Sequence, residues 1–265
     1  MTAVSRRPAR SLWWTLSDYA EMVKRSLKHI AHDPDQLATV TLQPVLTLVT
    51  MNIFLGGAIQ AGMQQNYLDF LLPGVFMVMA GFAAVTTATS VAVDMLQGAI
   101  DRFRTLPMAK SAVVIGHVIS DLPRAVIGLA VTIGVGVLFG FRSSAGIGAW
   151  AAAISLTLLV TFALSWVAAV IGLLSRSLEV VQQLAAVIIL PVFLSNAFVP
   201  TDTLPDWLRG VVANQPISQA TDAIRALLSN QPVGDHLALA LIEFAAISVF
   251  AFIIATLLFK RAATR

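Results

Sequence analysis

Six apolar runs, at residues 37–57, 70–92, 112–141, 147–174, 180–199 and 237–259, constrain this chain more than any other feature. Each reaches the roughly 20 residues that an α-helix needs to cross the hydrocarbon core of a bilayer. Backbone polar groups find no water there, so runs of this length resolve as helices whose hydrogen bonds are internal. The third and fourth runs are long enough to tilt or to extend beyond the bilayer. Only 12% of the residues are charged and 57% are hydrophobic, against about 25% charged in an ordinary soluble domain. Mean hydropathy is +0.82. The predicted fold is an all-α polytopic membrane protein with six transmembrane helices.

Lysine and arginine orient it. With the N-terminus inside, the cytoplasmic segments carry Arg6, Arg7, Arg10, Lys24, Arg25, Lys28, Arg102, Arg104, Lys110, Arg176, Lys260, Arg261 and Arg265. The outer segments carry only Arg142, Arg209 and Arg225, so the positive-inside bias selects N-in and C-in. The same distribution explains a pI near 9.7 without nucleic acid, because the basic residues flank apolar runs and form no patch on a soluble domain.

Residues 1–36 form a separate element before the six-span domain of residues 37–265. Leu12, Leu16, Tyr19, Val23, Leu27 and Ile30 recur at helical spacing, with Asp18, Glu21, Lys24, Arg25 and Lys28 between them. This is an amphipathic helix with Trp13 and Trp14 near its start, suited to lie in the membrane interface. The alternative is a helix packed on the bundle from the soluble side. Asp33 and Pro34 end it. No apolar stretch of export-signal type follows the arginines at 6 and 7.

Between spans two and three lies a compact charged insert, residues 98–110, within a wider segment 94–110. Arg102, Arg104 and Lys110 hold it inside, and Asp101, Phe103 and Leu106 give it something to dock with. A polar element fixed at the membrane surface, combining charge with an aromatic ring, suits mechanical contact with a soluble partner. Phe103 and Leu106 share a helix face and are assigned to packing in a groove; Asp101 and Arg104 share another. Between spans five and six, the segment 200–236 is expected to hold two short amphipathic helices dipping into the outer leaflet. One begins near Pro205 with Trp207; the other is capped by Ser218, with Ala220, Ile224, Leu227 and Leu228 on its apolar side and Asp222 and Arg225 on its polar side. A surface cap without contact to substrate is the alternative.

Several chemistries are excluded or unsupported. There is no cysteine, hence no thiol catalysis or cysteine-held metal. His29, His32, His117 and His236 are scattered and read as interfacial or solvated. No GxxxxGK[ST] phosphate loop occurs, so the chain lacks that means of hydrolysing ATP. Asp121 and Arg124, three apart, are expected to pair near the cytosolic end of span three, and Glu243 to snorkel or hydrogen-bond in span six. Gly136 and Gly140 form a GxxxG suited to close helix approach. Pro44, Pro73 and Pro191 are expected to kink their spans. No internal repeat is evident.

Four stretches resemble the permease subunits of ABC-2-type exporters, particularly the daunorubicin-resistance-like branch. They are Asp33-Pro34 after an amphipathic helix; Tyr67 to Gly74 opening span two; Asp94, Gly98, Asp101, Arg102, Phe103, Arg104, Thr105, Leu106 and Pro107, with Gly116 and Asp121 beyond; and the outer series Asn196, Phe198, Pro200, Pro205, Trp207, Asn214 and Pro216. The resemblance implies two permeases, identical or paralogous, above a dimer of cognate ATPase subunits. ATP and Mg would belong to that partner, and this chain would need no cofactor and no metal. Asp94, Gly98, Asp101, Arg102, Phe103, Arg104, Leu106 and Pro107 would form the coupling helix seated in the ATPase. Trp13, Trp14, Asp33 and Pro34 would form an N-terminal interface, and Phe198, Pro200, Trp207, Asn214 and Pro216 an outer gate. Asp101 stands where such permeases often carry glutamate, which shortens the reach by one methylene. The implied location is the cytoplasmic membrane, among membrane lipids, and the implied cargo is an amphiphilic drug or complex lipid. A lipid-modifying membrane enzyme would need convergent catalytic side chains, and an ion-coupled transporter would need midplane charges; the sequence offers neither clearly.

Overall fold

In the computed structural model, residues 34–60, 66–96, 112–175 and 177–262 are described. The predicted N-terminal helix, with Trp13, Trp14 and Asp33, and the coupling residues Gly98, Asp101, Arg102, Phe103, Arg104, Leu106 and Pro107 lie outside them.

The described residues are helical, without strands: α1 (Pro34–Gln60), α2 (Tyr67–Leu96), α3 (Ala112–Leu138), α4 (Ile147–Leu174), α5 (Leu178–Phe193), a 3-10 turn (Thr201–Thr203), α6 (Asp206–Asn214), α7 (Pro216–Leu228) and α8 (His236–Ala262). Four of these, α2, α3, α4 and α8, are long and apolar enough to cross a membrane, while α1 and α5 carry the shorter apolar stretches Thr41–Gly57 and Leu178–Phe193.

Helix α2 is the centre. It is apolar on every side and buried on nearly every side, from Tyr67 and Phe76 to Val91 and Ala92, as expected of a helix that meets protein all round. Helices α1, α3, α4, α5 and α7 pack on it. Lipid tails are as apolar as leucine, so these helices are held by close packing and polar bonds more than by escape from solvent. Two glycines permit the closest approaches. A Cβ at Gly172 in α4 would lie 2.7 Å from the Ala88 carbonyl of α2, and one at Gly74 would collide with the Ala197 carbonyl.

The GxxxG at Gly136 and Gly140 has a different use. Gly140 has φ +105°, and the bonds Phe141 N–H to Gly136 C=O and Gly140 N–H to Val137 C=O close a Schellman motif. This pair ends α3 three residues short of the run that predicted it, though Gly136 also abuts Leu72. The fifth run departs further. Helix α5 spans 16 residues, roughly 24 Å at 1.5 Å per residue, and ends at Phe193 just after Pro191. In the remainder of the run Leu194 is exposed, while Ala197 and Phe198 are buried in protein, with the Phe198 ring stacked 5.4 Å from that of Phe193.

Candidate functional site

Two polar clusters sit in this apolar bundle, one at each end. The first lies toward segment 97–111, which joins α2 to α3. Asp121 of α3 is 1% exposed. The Thr87 hydroxyl of α2 and the Ser165 hydroxyl of α4 (2.7 Å) both donate to its Oδ2. Arg124 Nη1, one turn on, donates to Oδ1 at 3.3 Å. One carboxylate thus joins three helices. The expected pairing with Arg124 is present, but Asp121 is enclosed by helices and does not stand at a surface. Nearer the segment, Asp94 Oδ2 meets His117 Nε2 at 2.7 Å. This second α2–α3 bond replaces the solvated reading of His117.

The second cluster holds the segment between α5 and α8. Arg225 of α7, expected on a polar side, turns inward. Its Nε and Nη2 donate to the Phe70 carbonyl of α2 at 3.3 and 3.2 Å. Nη2 also reaches the Asn196 carbonyl at 3.2 Å, and Nη1 reaches Asp222 at 2.6 Å. The guanidinium carbon lies 3.8 Å from the centre of the Phe70 ring. Burial pushes this group down to about 10, opposed by the charge and hydrogen bond of Asp222, so it stays cationic at neutral pH. Pro73 removes the ladder bond to the Asp69 carbonyl, and the Phe70 carbonyl beside that break accepts the arginine. Asn196 Nδ2 bonds Asp222 at 2.7 Å, and Asn196 N–H donates to Ser218. Ser218 therefore does not cap α7; Gln215 occupies that position, followed by Pro216 at the first turn. His236 Nδ1 meets Gln219 Oε1 at 2.6 Å.

The proposed gate residues fall in different settings. Phe198 is buried, and its carbonyl accepts the Tyr67 hydroxyl at 3.1 Å. The Pro200 carbonyl accepts the Thr203 hydroxyl in the 3-10 turn. Asn214 Nδ2 closes the end of α6 on the Gly210 carbonyl. Trp207 is 78% exposed on α6, beside the exposed Val211. Pro34 opens α1. Among the described residues, no group of three or more His, Asp or Glu is placed to hold a metal ion. Glu243 keeps one buried oxygen, Oε2, without a hydrogen-bond partner.

Thr87, Ser165, His117 and the inward role of Arg225 escape sequence reading. A usable signal was present for Thr87 and His117. Asp94 and His117, and Thr87 and Asp121, lie at comparable distances on either side of one charged insert, as partners across a helical hairpin do.

Helices of this length and apolarity, with enclosed polar bonds between them, define a multi-pass membrane protein. The chain belongs to the ABC-2 type transporter family, whose model matches residues 18–229. It is 33% identical over 227 residues to the daunorubicin resistance ABC transporter permease protein DrrB1 of Streptomyces coeruleorubidus, covering 85% of this chain and 79% of that one. It is 27% identical over 244 residues to the probable doxorubicin resistance ABC transporter permease protein DrrC of Mycobacterium tuberculosis, covering 91% and 87%. The DrrB protein of the same organism is 28% identical over 180 residues, covering 68% and 62%.

Proposed function

We propose that this chain is the permease subunit of an ATP-driven exporter that moves an amphiphilic drug or complex lipid outward across the cytoplasmic membrane. The similarity to drug-resistance permeases along most of both chains carries this reading. The permease acts as one of two copies, or beside a paralogue, above a dimer of ATPase subunits that bind ATP and Mg. It crosses the membrane six times with both termini inside. Residues 98–107, with Asp94 at the edge, form the coupling element. Phe103 and Leu106 pack into the ATPase, and Arg102 faces lipid headgroups. The N-terminal helix with Trp13 and Trp14 adds a second contact. The outer segment, with Phe198, Pro200, Trp207, Asn214 and Pro216, borders release.

Co-expression with a cognate ATPase subunit tests the reading. The two should purify together, ATP turnover should require both, and the isolated chain should show none. Truncating a buried anchor typically costs about 2 kcal/mol or more of binding and a rim charge much less. Phe103→Ala with Leu106→Ala should therefore break export while Arg102→Ala spares it, with membrane insertion unchanged in both. Wild-type export by the double variant would refute the coupling assignment.

A further inference from the structure

The two helices that leave segment 97–111 behave as one lever only if something fixes them together. Helices α2 and α4 are fixed by close packing, since a Cβ at Gly172 would crowd both the Ala88 carbonyl and Val91. Helix α3 has fewer ties. Its apolar contacts near the segment are Val114 and Val118, against Val91, Trp166 and Ala169. Its outward side chains include Val126, 47% exposed. The bonds that bind it to both neighbours at a single point are those of Asp121, which accepts from Thr87 on α2 and from Ser165 on α4.

We infer that Asp121 is a positioning residue for energy transfer: it clamps α3 to the α2–α4 pair, so that both stems of the coupling segment deliver one displacement to α4. This rests on the coupling role proposed for residues 98–107. An enclosed carboxylate is costly in a bilayer, and its retention is better explained by registering three helices than by adhesion, which apolar packing would supply. Arg124 on the same helix holds the charge, which leaves Oδ2 free to take both interhelical donors.

The chain has no cysteine, so spin labels can be placed singly. Labels at Val126 (α3), Leu174 (α4) and Val211 (α6) occupy exposed positions. In the assembled complex, trapping the ATPase with vanadate should shift the 126–211 and 174–211 distances together and leave 126–174 unchanged. In Thr87→Val with Ser165→Ala, the 126–174 distance should change on trapping, and export per ATP hydrolysed should fall about tenfold. Ser165→Thr keeps the hydroxyl donor and should stay close to the parent. If the double variant does not assemble, Ser165→Ala alone is read the same way. An unchanged 126–174 distance in the severed variants, or normal coupling from complexes that are merely less stable, would overturn the inference. A parent in which neither distance to Val211 shifts would instead overturn the coupling role of residues 98–107.

Discussion

At the end of the bundle that carries Arg225, a side chain holds backbone; at the end that carries Asp121, side chains hold one another. Arg225 bonds the carbonyls of Phe70 and Asn196, in a stretch where the chain leaves regular helix after Phe193. Buried backbone outside a helix persists only where protein or water satisfies it, and here a cation does so. Asp121 and the Asp94–His117 pair join helices whose backbones are already satisfied. The first arrangement is a condition of folding. The second is an added constraint on how complete helices move, and can be weakened without unmaking them.

The sharpest way to break this comparison is Arg225→Ala. It strips Asp222 and two carbonyls of their cation, and removing one partner of a buried pair costs roughly 3–5 kcal/mol. We expect a large fall in thermal stability in detergent, with Arg225→Lys intermediate because it keeps the charge without the fork. Equal stability of Arg225→Ala and the parent would erase the distinction. Next comes Gly74→Ala, which forces the Ala197 carbonyl away and should cost about 1–3 kcal/mol. Gly172→Ala should do the same between α4 and α2, and neither should alter the pH profile of unfolding. Asp94→Asn should cost less than about 1 kcal/mol, because both partners are partly exposed; its effect should appear in coupling, measured as export per ATP. Trp207→Ala should change stability in detergent by no more than about 0.5 kcal/mol, since its ring lies outside the packed core. A fall comparable to that of Arg225→Ala would mean that α6 is braced through Trp207.

The long helices were legible because one pattern, apolar length, decides them: α4 matches its run, and α3 begins where its run begins. The end of α5 was not, because a residue buried in protein and one facing lipid are equally apolar. Ala197 and Phe198 extended the fifth run although they fold back beneath α7. The pairing of Asp222 with Arg225 was visible as an i,i+3 spacing, but its direction was not, since it depends on the Phe70 carbonyl in another helix. Asp121 was legible as a charge in an apolar run. Its partner Ser165 was not, because a hydroxyl in a membrane helix usually satisfies itself on its own backbone, as Thr157 and Thr161 do here.

The position of α2 also sets an order of construction. Of the five helices around α2 only α1 precedes it in the chain, so α2 must stand in lipid before most of its partners have been made. Its apolar circumference lets it wait there, with Asp69 and Asp94 confined to its ends. Helix α3 follows with Asp121 already neutralised by its own Arg124, one turn away. Ser165 arrives only with α4. Asp121 thus keeps the partner on its own helix and gains Thr87 and Ser165 from its neighbours, and the bundle closes around α2 from the outside.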